Sequence, residues 1–466
     1  MSFSRRDFLK AGAASATLVC GGCFGGASGK FRSANETINV GVIGAGGQGF
    51  HNWTRVVETT PNVRIAALCD VDAGMIEKGR AWFAEKNIKA EFNAFSDYRK
   101  MLEKEKLDAV IVSTPDHTHA PAAIQAMKSG CHVYVEKPLV RTIWEARYFE
   151  RVAKEYGVVT QMGNHGSAKN GLRRGVEVLR SGILGDVTEV HVWTNRPEIS
   201  PGNTWGWKQP VHPVGEDPIP EGFDWNQWLG TAPVRPFKKG AYHRIMWRAF
   251  HDFGTGAFGD MACHTMNLGV RGLQLGPVLS GEAVEIADRV AGSYPKYSKV
   301  KLTYAARKNM PKVDFYWYDG YRKPSAEIMP QVVATLGEVP NTGCLMIGSK
   351  GTLVSVNDYG EASYIGLKGE KKMRSLDKHE AALQVPSTLP RAENENQHLE
   401  FIKACRGETE TFSGVDHSVP FVEGMLIGCL AQRIEGKITW DAAACKSDNY
   451  MANALLRPYI RKGWEF

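Results

Sequence analysis

Asp260 and His264 stand four residues apart in the run Asp260-Met261-Ala262-Cys263-His264. On a helix this spacing puts both side chains on one face, where the carboxylate can orient the imidazole or tune its basicity. An imidazole with a near-neutral pKa suits proton removal from an alcohol while the carbon-bound hydrogen leaves as hydride. Lys137, in Glu136-Lys137-Pro138, is a cation able to stabilise alkoxide character on the reacting oxygen. The plainer alternatives are a helix-surface pair and a solvated loop lysine. Such chemistry needs a hydride acceptor, and Gly44-Ala45-Gly46-Gly47-Gln48-Gly49 offers a place to hold one.

That loop has the surroundings it requires. Residues 38–43 read as a buried parallel strand, and a helix begins by 51–59. Gly44 permits the tight turn, Gly46 lets the backbone approach a pyrophosphate, and Gly49 allows close packing of helix on strand. Gly47 and Gln48 complete the loop, and the helix N-terminus presents free N–H groups to phosphate. A second strand at 63–69 ends in Asp70, whose carboxylate can accept hydrogen bonds from the adenosine ribose. It would repel a 2′-phosphate and no Arg follows directly, so the cofactor expected is NAD rather than NADP.

Strand and helix patterns then alternate: helices at 72–86, 97–105 and 118–129, and strands at 90–92, 108–113, 132–136 and 158–162. Repeated units of this kind imply a doubly wound parallel sheet, with ligands beyond the carboxyl ends of the strands. Ser113–His119, Glu136-Lys137-Pro138 and Asn164-His165 all fall at such ends. Asn164 and His165 are candidate contacts to nicotinamide or substrate, with a structural turn as the alternative. His117 and His119 invite a metal reading, with His264 and His165 as partners. No third and fourth ligand can be assembled by spacing, so no metal is expected.

Six of the 12 tryptophans lie between residues 193 and 247. The Pro- and Gly-rich stretch 197–236 around them reads as a long ordered insertion, and such loops often carry binding function. Most of its rings are expected to form a small core, with Trp205 or Trp207 lining the site. Arg248 is a further substrate-contact candidate. Beyond it, strands are expected at 187–194, 300–304, 313–317, 344–347 and 352–357, and helices at 168–181, 261–273, 395–406 and 419–434. Residues 368–378 read as a solvated hairpin or loop.

The glycine loop, the Thr-Pro-Asp-His-Thr-His run at 114–119, Glu136-Lys137-Pro138, Asp260–His264 and Gly348–Leu353 together resemble the Gfo/Idh/MocA oxidoreductases across nearly the whole chain. The resemblance implies a Rossmann domain, placed at 36–160, followed by an α+β domain with an open, mostly antiparallel sheet at 161–466. It implies nicotinamide between the two domains and cofactor contacts from Thr114, Pro115, His119, Glu136 and Lys137. It also implies a catalytic set of Lys137, Asp260 and His264, a cis Lys137–Pro138 bond, and a homo-oligomer. One position departs: relatives often carry an acid three residues after the histidine, where this chain has Asn267, a candidate for neutral substrate contacts.

Composition fits this reading. The chain has 466 residues, 43% hydrophobic and 23% charged, and a formal net charge of +7. That describes a globular protein long enough for two domains. Ser4-Arg5-Arg6-Asp7-Phe8-Leu9-Lys10 reads as a twin-arginine signal over residues 1–29, too polar for a spanning helix. It implies a folded cargo of the Tat translocase and a periplasmic location. Gly21-Gly22-Cys23 hints at a lipid anchor. No long basic run follows, so nucleic acid is not an expected partner. Folding before export means folding in a reducing compartment, so the cysteines are expected to be mostly free buried thiols.

The function expected is an NAD-dependent oxidation of a sugar or glycoside secondary alcohol, with tightly held cofactor recycled in the site. The alternatives are a redox-neutral glycosidase working by oxidation, elimination, hydration and reduction, and a non-catalytic secreted sugar-binding protein.

Overall fold

The computed structural model describes residues 36–197, 206–208, 210–287 and 289–466. The expected signal segment and Trp205 lie outside the described residues. Six parallel strands, β1 (Ile38–Ile43), β2 (Val63–Cys69), β3 (Asn93–Phe95), β4 (Ala109–Val112), β5 (His132–Glu136) and β6 (Thr160–Gly163), form one sheet in the order β3-β2-β1-β4-β5-β6. β4, Ala-Val-Ile-Val, is buried at every residue, as befits a parallel strand covered on both faces. The strand order reverses between β1 and β4, which opens a crevice above their carboxyl ends. Helices Gly47–Thr59, Ala73–Glu85, Tyr98–Lys104, Asp116–Lys128 and Ile143–Tyr156 cover the sheet. The last starts at a capping box, with the Thr142 hydroxyl accepting from the Glu145 N–H and the Glu145 carboxylate accepting from the Thr142 N–H, and ends at left-handed Gly157.

The short strand expected at 90–92 lies instead at β3. Phe92 is buried and stands 5.8 Å from the Phe83 ring, so it plugs the helix layer just ahead of the strand. β6 carries the first sheet past residue 160, and the expected boundary at 160/161 falls inside it.

The second sheet comprises β7 (Val187–Trp193), β8 (Val278–Ile286), β9 (Ser298–Tyr304), β10 (Val313–Tyr318), β11 (Gly343–Gly348), β12 (Gly351–Ser355), β13 (Ser363–Leu367), β14 (Arg374–Ser375), β15 (Lys437–Asp441) and β16 (Lys446–Ser447). Their order is β14-β13-β12-β11-β7-β10-β9-β8-β15-β16. Every described pairing is antiparallel except that of β7 with β10. β8 escaped the alternation pattern because two register shifts against β9 break its periodicity. Helices Gly256–Thr265, Asn267–Gly272 and Val415–Ile434 bury one side of this layer, with Phe258 stacked on Trp317 at 4.7 Å. Helix Gln397–Cys405 returns to the first domain, where Phe401, Ile402 and Cys405 join Trp53 and Tyr134 in one core. All seven cysteines among the described residues are free, and six are buried.

Candidate active site

The crevice above β1 and β4 is a cleft of about 590 Å³ that runs from Asp70 to His264. Gly44 has φ +83°, and a Cβ there would meet the Ser113 carbonyl at 2.7 Å. A Cβ on Gly49 would lie 1.8 Å from the Gly44 carbonyl oxygen. The loop is therefore wound as tightly as backbone allows, and the helix starts at Gly47 with no acidic side chain in its first turn. Its free N–H groups suit a diphosphate. Asp70 accepts hydrogen bonds from the N–H groups of Gly46 and Asp72, both at 3.0 Å. It braces the loop as well as facing the cleft.

Glu136, at the end of β5, is buried beneath this floor. Its Oε1 accepts from Asn52 Nδ2 at 2.9 Å and from the Tyr134 hydroxyl at 3.4 Å. Burial pushes its pKa up, against the hydrogen bond from Asn52. Asn52 also donates to Ser113 Oγ and accepts from Gln48 Nε2 and His398 Nε2. This hub ties the glycine-loop helix, β4, β5 and helix Gln397–Cys405 together. Asn52 and His398, 346 positions apart, carry no local signal that would pair them.

The chemical end of the cleft is built on helix Gly256–Thr265. Lys137 Nζ donates to Asp260 Oδ1 at 2.6 Å and to the Asp260 carbonyl at 3.1 Å. The bond from Lys137 to Pro138 is cis. Arg248 Nε donates to the same Oδ1 at 3.1 Å. Burial alone would raise Asp260, but Lys137 and Arg248 outweigh it and hold the carboxyl well below its usual range. Burial likewise opposes the charge on Lys137, and Asp260 more than offsets this, so the ammonium persists.

Of the two roles expected of Asp260 toward His264, orienting the imidazole does not hold, and tuning survives only as a lesser charge effect that raises the imidazole against burial and Lys137. Both residues line the cleft from one helix face, but the carboxylate is taken by two cations, which bind it more strongly than a neutral imidazole would. His264 Nδ1 is buried without a partner, leaving Nε2 to meet a ligand. Burial first, and the Lys137 charge second, push His264 down to about 3. The edge of its ring packs on Tyr359 at 5.2 Å, and His165 meets Tyr359 at the same distance. Tyr359 is thus a cleft residue between two histidines that spacing could not reveal. It follows β12 in a stretch without motif.

Other candidates move. Asn164 is buried and points away from the cleft, donating to the Cys263 carbonyl at 2.6 Å. It pins the end of β6 to the helix that carries Asp260. Asn164→Ala is therefore expected to cost about 1–3 kcal/mol of stability and leave the substrate KM unchanged, as urea unfolding and steady-state kinetics would show. A raised KM at unaltered stability would return it to the substrate site. Asn267 is also buried, donating to Ser167 Oγ and accepting from His417. Its amide is thus spent on neighbouring side chains rather than offered to the cleft.

His119 does not face the cleft. Its Nε2 donates to the Thr114 carbonyl at 2.8 Å and so holds the Thr114-Pro115 segment, which does line the cleft. His117 donates to the Trp228 carbonyl at 2.9 Å. Burial pushes both imidazoles down to about 3, and each spends a ring nitrogen on a carbonyl. Trp207 belongs to the insertion's own core with Trp225, Phe237 and Tyr242, and two further members of that core, Trp228 and Trp247, also line the cleft. The Arg248 guanidinium lies 4.3 Å over the Trp247 ring.

The fold has counterparts among known proteins. Residues 38–164 match the sequence model of an oxidoreductase family with an NAD-binding Rossmann fold, and residues 173–271 match that family's C-terminal alpha/beta domain. A glycosyl hydrolase family 109 protein of Solibacter usitatus is 30% identical over 200 residues, 40% of this chain and 44% of that one. An inositol 2-dehydrogenase of Rubrobacter xylanophilus is 29% identical over 188 residues, 38% and 49% of the two chains. The chain thus spans less than half the length of these curated relatives. Among solved structures, an inositol dehydrogenase homolog from Azotobacter vinelandii, complexed with NADH and myo-inositol, superposes with TM-score 0.58 at 15% identity. It covers 89% of this chain and all of that one. The WlbA dehydrogenase from Bordetella pertussis, in complex with NADH and UDP-GlcNAcA, gives 0.59 at 16%, covering 87% and 98%.

Proposed function

Because the chain belongs to the Gfo/Idh/MocA oxidoreductase family, we propose that it oxidises a secondary alcohol of a sugar or glycoside with NAD. The observation that carries this reading is a single cleft with the phosphate-binding loop at one end and the Lys137–Asp260–Arg248 cluster beside His264 at the other. The loop fits a dinucleotide, since a Cβ at Gly44 or Gly49 would collide with backbone. Gly46–Gly49 and Asp70 would hold it. Bound NAD supplies a hydride acceptor.

The residues divide the remaining work. Lys137, kept charged by Asp260, donates a hydrogen bond to the alcohol oxygen and stabilises charge as it develops there. His264, kept neutral, accepts the hydroxyl proton through Nε2. Arg248 holds Asp260 in place. His264 at about 3 keeps its accepting form well below the usual imidazole range. The rate of alcohol oxidation is therefore expected to show no acid limb near pH 6.5 and to stay level from about pH 5 to 7. A limb centred near 6.5 that disappears in His264→Gln would contradict this assignment.

The family 109 relatives favour a second reading, a redox-neutral glycosidase. Oxidation at one carbon acidifies the neighbouring C–H, elimination expels the aglycone, water adds, and hydride returns to the ketone. Assaying the purified protein against a glycoside panel separates the two. Keto products support the oxidoreductase, whereas free reducing sugar with unchanged nicotinamide redox state supports the glycosidase.

The Arg5-Arg6 signature supports export by the Tat translocase to the periplasm, and Gly21-Gly22-Cys23 supports a lipid anchor at Cys23. A cofactor that cannot be exchanged outside the cytoplasm would have to be reoxidised in its own site. Arg5→Lys with Arg6→Lys should leave the protein in the cytoplasm on cell fractionation, and unchanged export would refute this route. The ten-stranded sheet offers a surface for a homo-oligomer, with Leu279 and Val284 of β8 exposed. Light scattering tests that assembly.

A further inference from the structure

We propose that the aromatic segment from Gly222 to Phe253, which joins the end of the insertion to the residues that follow it, is a second wall of the dinucleotide site, built to keep NAD from exchanging. This rests on the reading that a dinucleotide fills the cleft. It adds a retaining device contributed by a segment outside the Rossmann fold.

The insertion is fastened to the first domain. The Ala73 N–H donates to the Gly222 carbonyl at 2.9 Å, the Asp224 N–H to Val71 at 2.8 Å, and the His117 N–H to Phe253 at 3.1 Å. Gln227 Nε2 donates to Asp97 Oδ2 at 3.1 Å, and His117 Nε2 to the Trp228 carbonyl at 2.9 Å. From the other side the C-terminal tail holds it, since the Arg461 N–H donates to Thr231 and its guanidinium to Asn226. Trp225 stacks on Trp228 at 4.7 Å with planes 15° apart, and Phe253 packs against Trp228 at 4.9 Å. The segment is therefore a small folded body with its own apolar centre, fixed at both ends.

Its inner edge faces the adenosine half of the cleft. Gln227, Trp228, His243, Arg244 and Trp247 line the same cavity as Gly46, Asp70, Asp72 and Tyr98. The charges are complementary. Lys137 and Arg248 are committed to Asp260, and no basic side chain stands in the first residues of the glycine-loop helix. Arg244 makes no ion pair among the described residues, so its guanidinium is available to a diphosphate on the opposite wall. With the second wall held in place by these hydrogen bonds, a dinucleotide must give up contacts on both sides to leave, which slows dissociation relative to turnover.

The test uses the full chain purified with its nucleotide. Bound NAD is challenged with isotope-labelled NAD, and exchange is followed by rapid gel filtration. The wild type is expected to exchange more slowly than it turns over. Arg244→Ala and Gln227→Ala change polar side chains outside the insertion's apolar centre, and each is expected to raise the exchange rate by about tenfold, the change that one lost net polar contact produces. Wild-type exchange as fast as turnover overturns the proposal, and so do folded variants that exchange at the wild-type rate. Hydride transfer from sugars is measured separately. A protein that retains NAD but oxidises no sugar leaves the wall standing and defeats the enzymatic reading, whereas one that oxidises sugar while exchanging NAD freely does the reverse.

Discussion

Lys137→Met is expected to lower kcat for sugar oxidation by about 10²–10³-fold while leaving bound NAD in place, the loss typical when one preorganised donor to a developing oxyanion is removed. Methionine keeps much of the side-chain volume, so the change isolates the charge. Two consequences follow from the 2.6 Å contact with Asp260. The alcohol oxygen loses its donor, and the Asp260 carboxylate keeps Arg248 as its one remaining cation. Half of the charge balance of a buried site is gone, which should cost roughly 3 kcal/mol of stability. Single-turnover reduction of the bound nicotinamide reads the first effect and thermal unfolding reads the second. A variant with full turnover would remove Lys137 from the chemistry, and a fall in kcat matched by loss of NAD would reassign it to cofactor binding.

Gly49→Ala is expected to abolish NAD retention and to lower the melting temperature. The new Cβ would stand 1.8 Å from the Gly44 carbonyl oxygen and 3.1 Å from Ser113 Cβ. The first obstacle is backbone of the phosphate loop itself, so no rotamer relieves it. The loop must open by more than 1 Å, which overpacks the helix–strand contact at a cost of about 1–3 kcal/mol or more and misaims the N–H groups offered to phosphate. Gly47→Ala is the internal comparison. Gly47 has φ +52° with nothing within 4 Å of a built Cβ, so it should cost about 1–2 kcal/mol of backbone strain without a collision. Calorimetry on both variants and nucleotide content after gel filtration check the contrast. Equal losses in the two would show that backbone conformation, rather than close approach, decides the loop.

Some site residues were legible because their signal is local. The glycine spacing, the strand before it, the helix after it and Asp70 all lie within one chain segment, and their roles follow from backbone geometry. Lys137, Asp260 and His264 were legible only as an ordered set. Their actual relations were not. The i, i+4 spacing does put Asp260 and His264 on one face, but a face says nothing of what arrives from elsewhere. Lys137 comes from 123 positions away and takes the carboxylate. Asn164 and Asn267 misled for a related reason, since a polar residue at a strand end or on an active-site helix is equally able to turn inward and satisfy a buried carbonyl or hydroxyl. Trp207 and Trp228 have the same composition signal, and only packing decides which ring of the insertion's core also reaches the cleft.

The amino-acid sequence by itself determined the architecture: apolar runs of parallel-strand type, helical periodicity between them, and a glycine loop placed where strand order must reverse. These are short-range properties, set by backbone sterics and by which face each element must bury. The tertiary structure alone decided the electrostatics of the site. It joined Lys137 and Arg248 to one carboxylate, buried His264 against Tyr359, and set the inner edge of the tryptophan-rich insertion along the cleft. A pKa or an ion pair depends on charges and burial contributed by segments far apart in the chain, and those distances exist only once the domains have packed.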